Sequence, residues 1–139
     1  MTIVARFGET GFDDVPVACL AADDVGDWMH IRGDQTTTGR WRVEKADCFD
    51  ETKMPAVGIL ISKSTPTTGI MRRVGPVDEF TGLDFTKHYF VGPAGSMVNP
   101  APTPPSGTYV VVQRVGIPVD PDIIYLTGEI GPLFKLVDL

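Results

Sequence analysis

The apolar positions of this chain fall in short runs, and glycine or proline stands between most of them. Several runs alternate apolar and polar side chains: Trp41 and Val43 face one way and Arg42 and Glu44 the other, which is typical of a strand with one solvated face. Segment 108–115 is β-branched through its middle, which favours a central strand. Ten runs are predicted as strands: 2–6, 15–20, 27–32, 40–45, 57–62, 70–74, 88–91, 108–115, 123–126 and 133–137.

The pattern predicts one short helix and one stiff loop besides the strands. Segment 46–54 is predicted as a helix of two turns at most, because its acids come first, Lys53 comes late and Pro55 ends it. Segment 99–107 contains four prolines, which remove backbone donors and predict an extended loop. We therefore expect one all-β domain over residues 1–139, a jelly roll, β-sandwich or barrel-like fold of many short antiparallel strands with at most one short helix.

Composition agrees with this pattern. The 15 glycines and 12 prolines together make 27 of the 139 residues, against a usual share of roughly 12%. This density argues against helix bundles, coiled coils and doubly wound α/β folds, while 42% apolar residues are enough for a core. Ten aromatic side chains are expected to fill that core: Trp28, Trp41, Phe49, Phe80, Phe85, Tyr89, Phe90, Tyr109, Tyr125 and Phe134.

Charge, hydropathy and cysteine content argue against nucleic-acid binding, a membrane span, secretion and a disulfide framework. The formal net charge is −6, which argues against a nucleic-acid groove, since such a groove needs clustered cations. No apolar stretch approaches 18 residues and no signal peptide is visible, so we expect neither a membrane span nor secretion. Two cysteines cannot form a disulfide framework, and we expect folding in a reducing cytoplasm.

Residues that could carry chemistry are scattered along the chain. Cys19, His30, Cys48 and His88 stand singly, without the paired spacing of a zinc site or the pattern of a Cys–His nucleophile. No phosphate-binding glycine loop and no serine elbow is present. We therefore expect a protein that is not an enzyme, with no catalytic residue, no cofactor and no metal.

Three segments resemble small virion proteins of tailed bacteriophages. Ala46-Asp47, followed by segment 53–62, resembles the family's alanine–aspartate … proline–alanine–valine–glycine–isoleucine stretch. Segment 82–95 is similar to its glycine–leucine … tyrosine–tyrosine–leucine … glycine hairpin, and segment 112–126 looks like its closing valine–glycine–isoleucine–alanine strand pair. Pro118 stands where the family usually has alanine, and the first 45 residues have no counterpart.

The resemblance implies a β-rich domain of phage head decoration (cement) proteins or of head or tail fibres, which commonly assemble as trimers. The expected function is a structural one: a homotrimer on the capsid exterior that binds the major capsid protein and stabilises the shell by bridging neighbouring subunits. The protein would be made in the host cytoplasm. An alternative is the attachment or carbohydrate-binding domain of a fibre or baseplate, which exposed aromatics around a shallow groove would favour. A small β-barrel enzyme is the third, which a ligand-sized pocket holding His30 or His88 beside a carboxylate would favour.

Two groups of residues are predicted to contact a partner. Thr2, Ile3 and Val4 belong to an apolar N-terminal run, which forms either an arm of residues 1–6 that adds to a neighbour's sheet edge or a strand of its own sheet. Segment 133–139 presents the same two alternatives. Arg72 and Arg73 form a cationic pair without a counterpart in the phage family, and are the second predicted contact.

Overall fold

A computed structural model describes residues 13–33, 39–128 and 133–138. The predicted strand 2–6 and the partner residues Thr2, Ile3 and Val4 lie outside these described residues. The chain forms eleven strands over them: β1 (Asp13–Ala18), β2 (Trp28–Gly33), β3 (Trp41–Lys45), β4 (Gly58–Thr65), β5 (Thr68–Val77), β6 (Phe90–Val91), β7 (Met97–Val98), β8 (Tyr109–Val112), β9 (Ile117–Asp120), β10 (Ile123–Thr127) and β11 (Phe134–Val137).

The first five strands close into a small barrel. They are hydrogen-bonded in the order β1-β3-β2-β4-β5, and β5 pairs back with β1. Every neighbouring pair is antiparallel except β1 with β3. Closure removes the free edges that an open five-stranded sheet would present. The all-β prediction is confirmed. Of the three architectures predicted from the sequence, the structure has the barrel-like one.

The later strands cover one side of this barrel. β5 is ten residues long, and its last part continues past β4 to pair with β10, which in turn pairs with β9. β8 and β11 form a separate antiparallel ribbon, and β6 and β7 a short hairpin. We call these six strands, β6 to β11, the outer layer.

The core has two main parts because side chains alternate across each strand. Met29, Leu60 and neighbouring apolar side chains fill the barrel interior. Trp28 and Ile59, the residues just before them, point outward and pack against the outer layer. The first residues of β2 and β4 are therefore buried on both faces, because the outer layer covers them. A third, smaller cluster joins Cys48 to β8.

The strand pattern was informative, with two omissions. Nine of the ten predicted runs lie within the described residues, and each overlaps a strand. β7 was missed because a strand of two residues is too short to show an alternation of apolar and polar side chains. β9 was missed because Pro118 interrupts the run; a proline is tolerated there because β9 is an edge strand.

The predicted helix at 46–54 is wrong. Only a single 3-10 turn forms there, Glu51–Lys53, and another forms at Pro93–Gly95, so the low helix content expected of the fold class is confirmed while the position of the helix is not. The backbone of Cys48 is instead bonded to the outer layer: its N–H donates to Gly92 and its carbonyl accepts from Val111. A residue paired sideways in this way cannot also join a helical ladder. Within the described residues, no helix is long and apolar enough to cross a membrane.

The hairpin that the phage resemblance implied at 82–95 is displaced along the chain. Residues 82–89 form a loop with a turn at 85–86, and the hairpin is made by β6 and β7 over residues 90–98. The proline-rich segment connects β7 to β8 without strand or helix. The strand pair implied at the end of 112–126 corresponds to β9 and β10.

Candidate functional site

Arg72 lies on β5 beside β1, where the barrel closes. Its Nε and Nη2 donate to the two carboxylate oxygens of Asp14 at 2.8 and 3.0 Å, and its Nη1 donates to the carbonyl of Pro76 at 2.7 Å. The hydrogen bonds to Asp14 raise the pKa of the Arg72 guanidinium above its ordinary value. Arg72 therefore holds the seam between β5 and β1.

Arg73 is bound in a similar way on the opposite face of β5. Its Nη1 lies 3.1 Å from a carboxylate oxygen of Asp13, and its guanidinium stacks 5.2 Å from the centre of the Trp41 ring. Arg72 and Arg73, the two arginines predicted to contact another protein, thus both bind side chains on other strands of the same chain. That either arginine also contacts another protein stays a prediction.

The histidines and cysteines that sequence reasoning considered remain in separate surroundings. His30 Nδ1 lies 2.9 Å from the carbonyl of Pro55, and His88 Nδ1 lies 2.8 Å from Nη2 of Arg114. Cys19 and Cys48 are buried, and burial raises the pKa of both thiols, that of Cys48 to about 11. In the part of the chain that the structure describes, no three His, Cys, Asp or Glu residues are grouped closely enough to hold a metal ion.

A small cavity lies between the barrel and the outer layer. Its volume is about 50 Å³, and Trp28, Gln113 and Thr127 are among its lining residues. The indole Nε1 of Trp28 is buried and has no hydrogen-bond acceptor among the described residues. A space of this size holds a water molecule or two and excludes an organic ligand.

The larger opening is a groove in the outer layer, with a volume of about 510 Å³. We refer to it as the apolar groove. Large apolar side chains from the loop before β6 and from β6, β9 and β11 line it: Phe85, Tyr89, Phe90, Ile117, Pro118 and Phe134. Three of these face solvent, since Phe85 is 60% exposed, Ile117 59% and Phe134 58%. Apolar exposure of this extent is typical of a surface that contacts another molecule.

The polar rim of the groove is cationic. Lys87, His88 and Arg114 line it, and none of its lining residues among those described is an acid. The loop that carries Lys87 and His88 is fixed locally: Asp84 accepts a hydrogen bond from the backbone N–H of Thr86 at 2.8 Å. The hydrogen bonds from Thr86 lower the pKa of Asp84. The groove therefore presents a defined cationic and apolar surface.

Two strand edges flank this surface. β9 contributes Ile117 and Pro118 to the groove, and β11 contributes Phe134. Within the described residues, β9 pairs only with β10, and β11 only with β8. All four residues of β11 are exposed. Unpaired, apolar strand edges are a feature that monomeric proteins normally avoid.

Sequence reasoning missed the apolar groove because it assigned the aromatic side chains to the core. Phe85 and Phe134 are among the most exposed apolar residues, and Phe49 is 39% exposed, so the expectation was wrong for these three. Hydropathy cannot distinguish an aromatic in the core from one at an interface, since both are apolar. Segment 133–137 did give a signal, because its four apolar residues fall in two adjacent pairs and its faces therefore do not alternate.

Comparisons with known proteins add no assignment: no family model, no curated protein and no solved structure matches this chain. The residues and the geometry described above are therefore what support a function.

Proposed function

We propose that this chain is a decoration (cement) protein of a tailed-bacteriophage capsid. In this proposal it is a homotrimer on the outer surface of the virion that binds the major capsid protein and stabilises the shell by bridging neighbouring subunits. Neither catalysis nor a cofactor is part of the proposed function. The resemblance of segments 46–62, 82–95 and 112–126 to small phage virion proteins supports it.

One structural observation carries the proposal furthest. A closed, well-packed barrel supports an outer layer whose groove and strand edges leave large apolar side chains in water. A rigid body with unsatisfied apolar surface is what a protein needs when its task is to bind several neighbours at once. The groove has a cationic rim without a neighbouring acid among its described lining residues, which provides little of the paired chemistry that hydrolytic catalysis uses.

The direct test is to mix the purified chain with empty heads of the phage that encodes it. We expect the chain to sediment with the heads at a saturable ratio, and to raise the temperature at which the heads disrupt. A chain that remains in the supernatant at concentrations well above those of the heads would contradict the proposal. Bovine serum albumin at equal concentration controls for trapping in the pellet.

A carbohydrate-binding or attachment domain is the second candidate, and the aromatics of the apolar groove favour it. Phe85, Tyr89 and Phe134 line an opening of adequate volume for a short glycan. Titration of isotopically labelled protein with host cell-wall glycans, followed by amide chemical shifts, tests this function. Shifts confined to the groove and abolished by Phe85→Ala would favour it over decoration.

The enzyme alternative receives less support. His88 lines the groove, but its nearest polar partner is Arg114, and the groove residues that the structure describes include no carboxylate. His30 bonds a backbone carbonyl at a different place. The Nδ1 atom of His88 is already engaged by the Arg114 guanidinium, and no described acid of the groove orients the ring, so it is poorly placed to act as a general base.

A further inference from the structure

Loop 20–25, between β1 and β2, is a second exposed apolar feature. Leu20 and Val25 are each 41% exposed, and Asp24, which lies between them in the sequence, is exposed as well. The loop therefore presents two apolar side chains and one exposed acid, whereas the groove carries apolar side chains and the cations Lys87 and Arg114. The two surfaces are complementary in both polarity and charge.

The loop is held in shape by its own contacts. Lys63 Nζ donates to the carbonyl of Asp23 at 2.7 Å and to those of Ala21 and Leu20 at 3.4 and 3.5 Å. The carboxylate of Asp23 is buried and accepts the Leu20 N–H at 2.8 Å. A loop ordered before contact loses little conformational entropy on binding, so it is suited to dock on a partner.

The loop and the Thr127 side of the groove are separated by the length of β1. Asp13, at the start of β1, and Thr127, at the end of β10, both pair with Val74 of β5. Thr127 also lines the apolar groove. β1 runs away from this point for six residues before the loop begins, which is roughly 20 Å at about 3.3 Å per residue.

We propose that loop 20–25 of one copy seats in the apolar groove of a second copy of this chain. Leu20 and Val25 would cover Phe85, Ile117 and Phe134, and Asp24 would lie beside Lys87 and Arg114. This proposal deepens the homotrimer of the proposed function and rests on it, but it does not rest on binding to a capsid.

The separation of the two surfaces sets the symmetry of the assembly. A contact between different surfaces is heterologous, so each copy offers a loop to one neighbour and a groove to another. Such contacts close into a ring when the rotation between copies is one third of a turn, which the homotrimer of the proposed function requires. Three side chains about 60% exposed present on the order of 300 Å² of apolar area. That is small for a lone pairwise interface of about 800 Å² per partner. A ring in which every copy makes two contacts is accordingly favoured over an open dimer.

Charge reversal at two exposed positions tests the contact. The variants are Asp24→Lys, Lys87→Glu and the double variant with both changes; Glu79→Lys, at an exposed acid outside the groove lining, is the matched control. Sedimentation velocity over a range of concentrations gives the mass, and far-ultraviolet circular dichroism checks folding. Each single reversal should weaken self-association by about tenfold or more, since like charges then meet. The double variant should recover association, because the lysine introduced at position 24 then faces the glutamate introduced at position 87.

Each result has a defined meaning. Wild type and Glu79→Lys at three times the mass of one chain, single variants shifted to monomer and a recovered double variant would support the contact. A monomeric wild type, single variants with unchanged mass or a double variant that stays dissociated would overturn it. A ring that fails to sediment with phage heads would contradict the decoration function while leaving this contact intact. A monomer that binds heads would contradict the contact between copies while leaving binding to the capsid intact.

Discussion

Gln113 is 4% exposed, and its side-chain amide binds both backbone groups of Ala56. The Oε1 atom accepts from the Ala56 N–H and Nε2 donates to the Ala56 carbonyl, both at 2.8 Å. The side-chain amide thus makes the two hydrogen bonds that the backbone of a neighbouring strand would otherwise make to Ala56. Since Gln113 follows β8 and Ala56 precedes β4, this residue links the outer layer to the barrel, beside the pairing of β10 with β5.

Gln113→Leu should lower the free energy of unfolding by about 2–4 kcal/mol. The substitution keeps a similar volume but leaves a buried N–H and a buried carbonyl unpaired, at about 1–3 kcal/mol each. Chemical denaturation at neutral pH measures the change. A loss below about 0.5 kcal/mol would show that Ala56 finds other partners and would contradict the role given to Gln113.

Gln113→Glu serves as the matched variant for this prediction. A protonated carboxyl can still donate to the Ala56 carbonyl, whereas the carboxylate cannot, so the folded protein raises the pKa of this carboxyl above about 4.3. Its stabilising contribution is present below that value and is lost as the pH rises. The stability gap to the wild type should therefore widen from pH 4 to pH 7, and a constant gap would contradict the hydrogen-bond account.

At the scale of elements, the seam between β1 and β5 closes the barrel. Asp13 and Asp14 stand at the start of β1, and Arg73 and Arg72 reach them from β5. The Arg72 side chain is 17% exposed and the Asp14 side chain 32%, whereas Arg73 and Asp13 are 34% and 44% exposed. Water screens the more exposed pair more strongly, so the two ion pairs should differ in energy.

A double-mutant cycle with Arg72→Gln and Asp14→Asn should give a coupling energy of about 1 kcal/mol. This is the value expected for a bidentate ion pair that water screens in part. The matched cycle with Arg73→Gln and Asp13→Asn should give about half of that or less. Thermal unfolding at low and high salt measures both. Equal coupling in the two cycles, or none for Arg72 with Asp14, would contradict this account of the seam.

The sequence was informative about where strands form, but not about how the outer layer packs against the barrel. Alternation in Trp41–Lys45 and the β-branched run of β8 predicted strands, because those patterns follow from side-chain direction alone. The helix at 46–54 failed since the partners of Cys48, Gly92 and Val111, are more than 40 residues distant. The apolar groove was missed for the same reason. Its lining comes from residues 85 to 134, and only the packing of the later strands brings them together.

In the molecule as a whole, the surfaces proposed to bind a partner are separate from the residues that hold the fold together. The barrel core and the β1–β5 seam use residues between Asp13 and Val77. The apolar groove belongs to the outer layer and the loop before it, and loop 20–25 follows the end of β1 that lies away from Thr127. If both are used between copies, a shell must be bound through other surfaces, and the N-terminal run containing Thr2, Ile3 and Val4 is the strongest remaining candidate.

Deletion of residues 2–6 should therefore weaken binding to phage heads while leaving the fold and the ring intact. Strand β1 begins at Asp13, so the barrel keeps every pairing described for it, and the proposed contact between Asp24 and Lys87 lies elsewhere. We expect at least a tenfold loss of affinity in co-sedimentation, with unchanged circular dichroism and an unchanged number of copies in the assembly. Unchanged affinity would remove the N-terminal run as the docking segment. A deletion that instead dissociated the ring would assign this run to contacts between copies, in place of the shell.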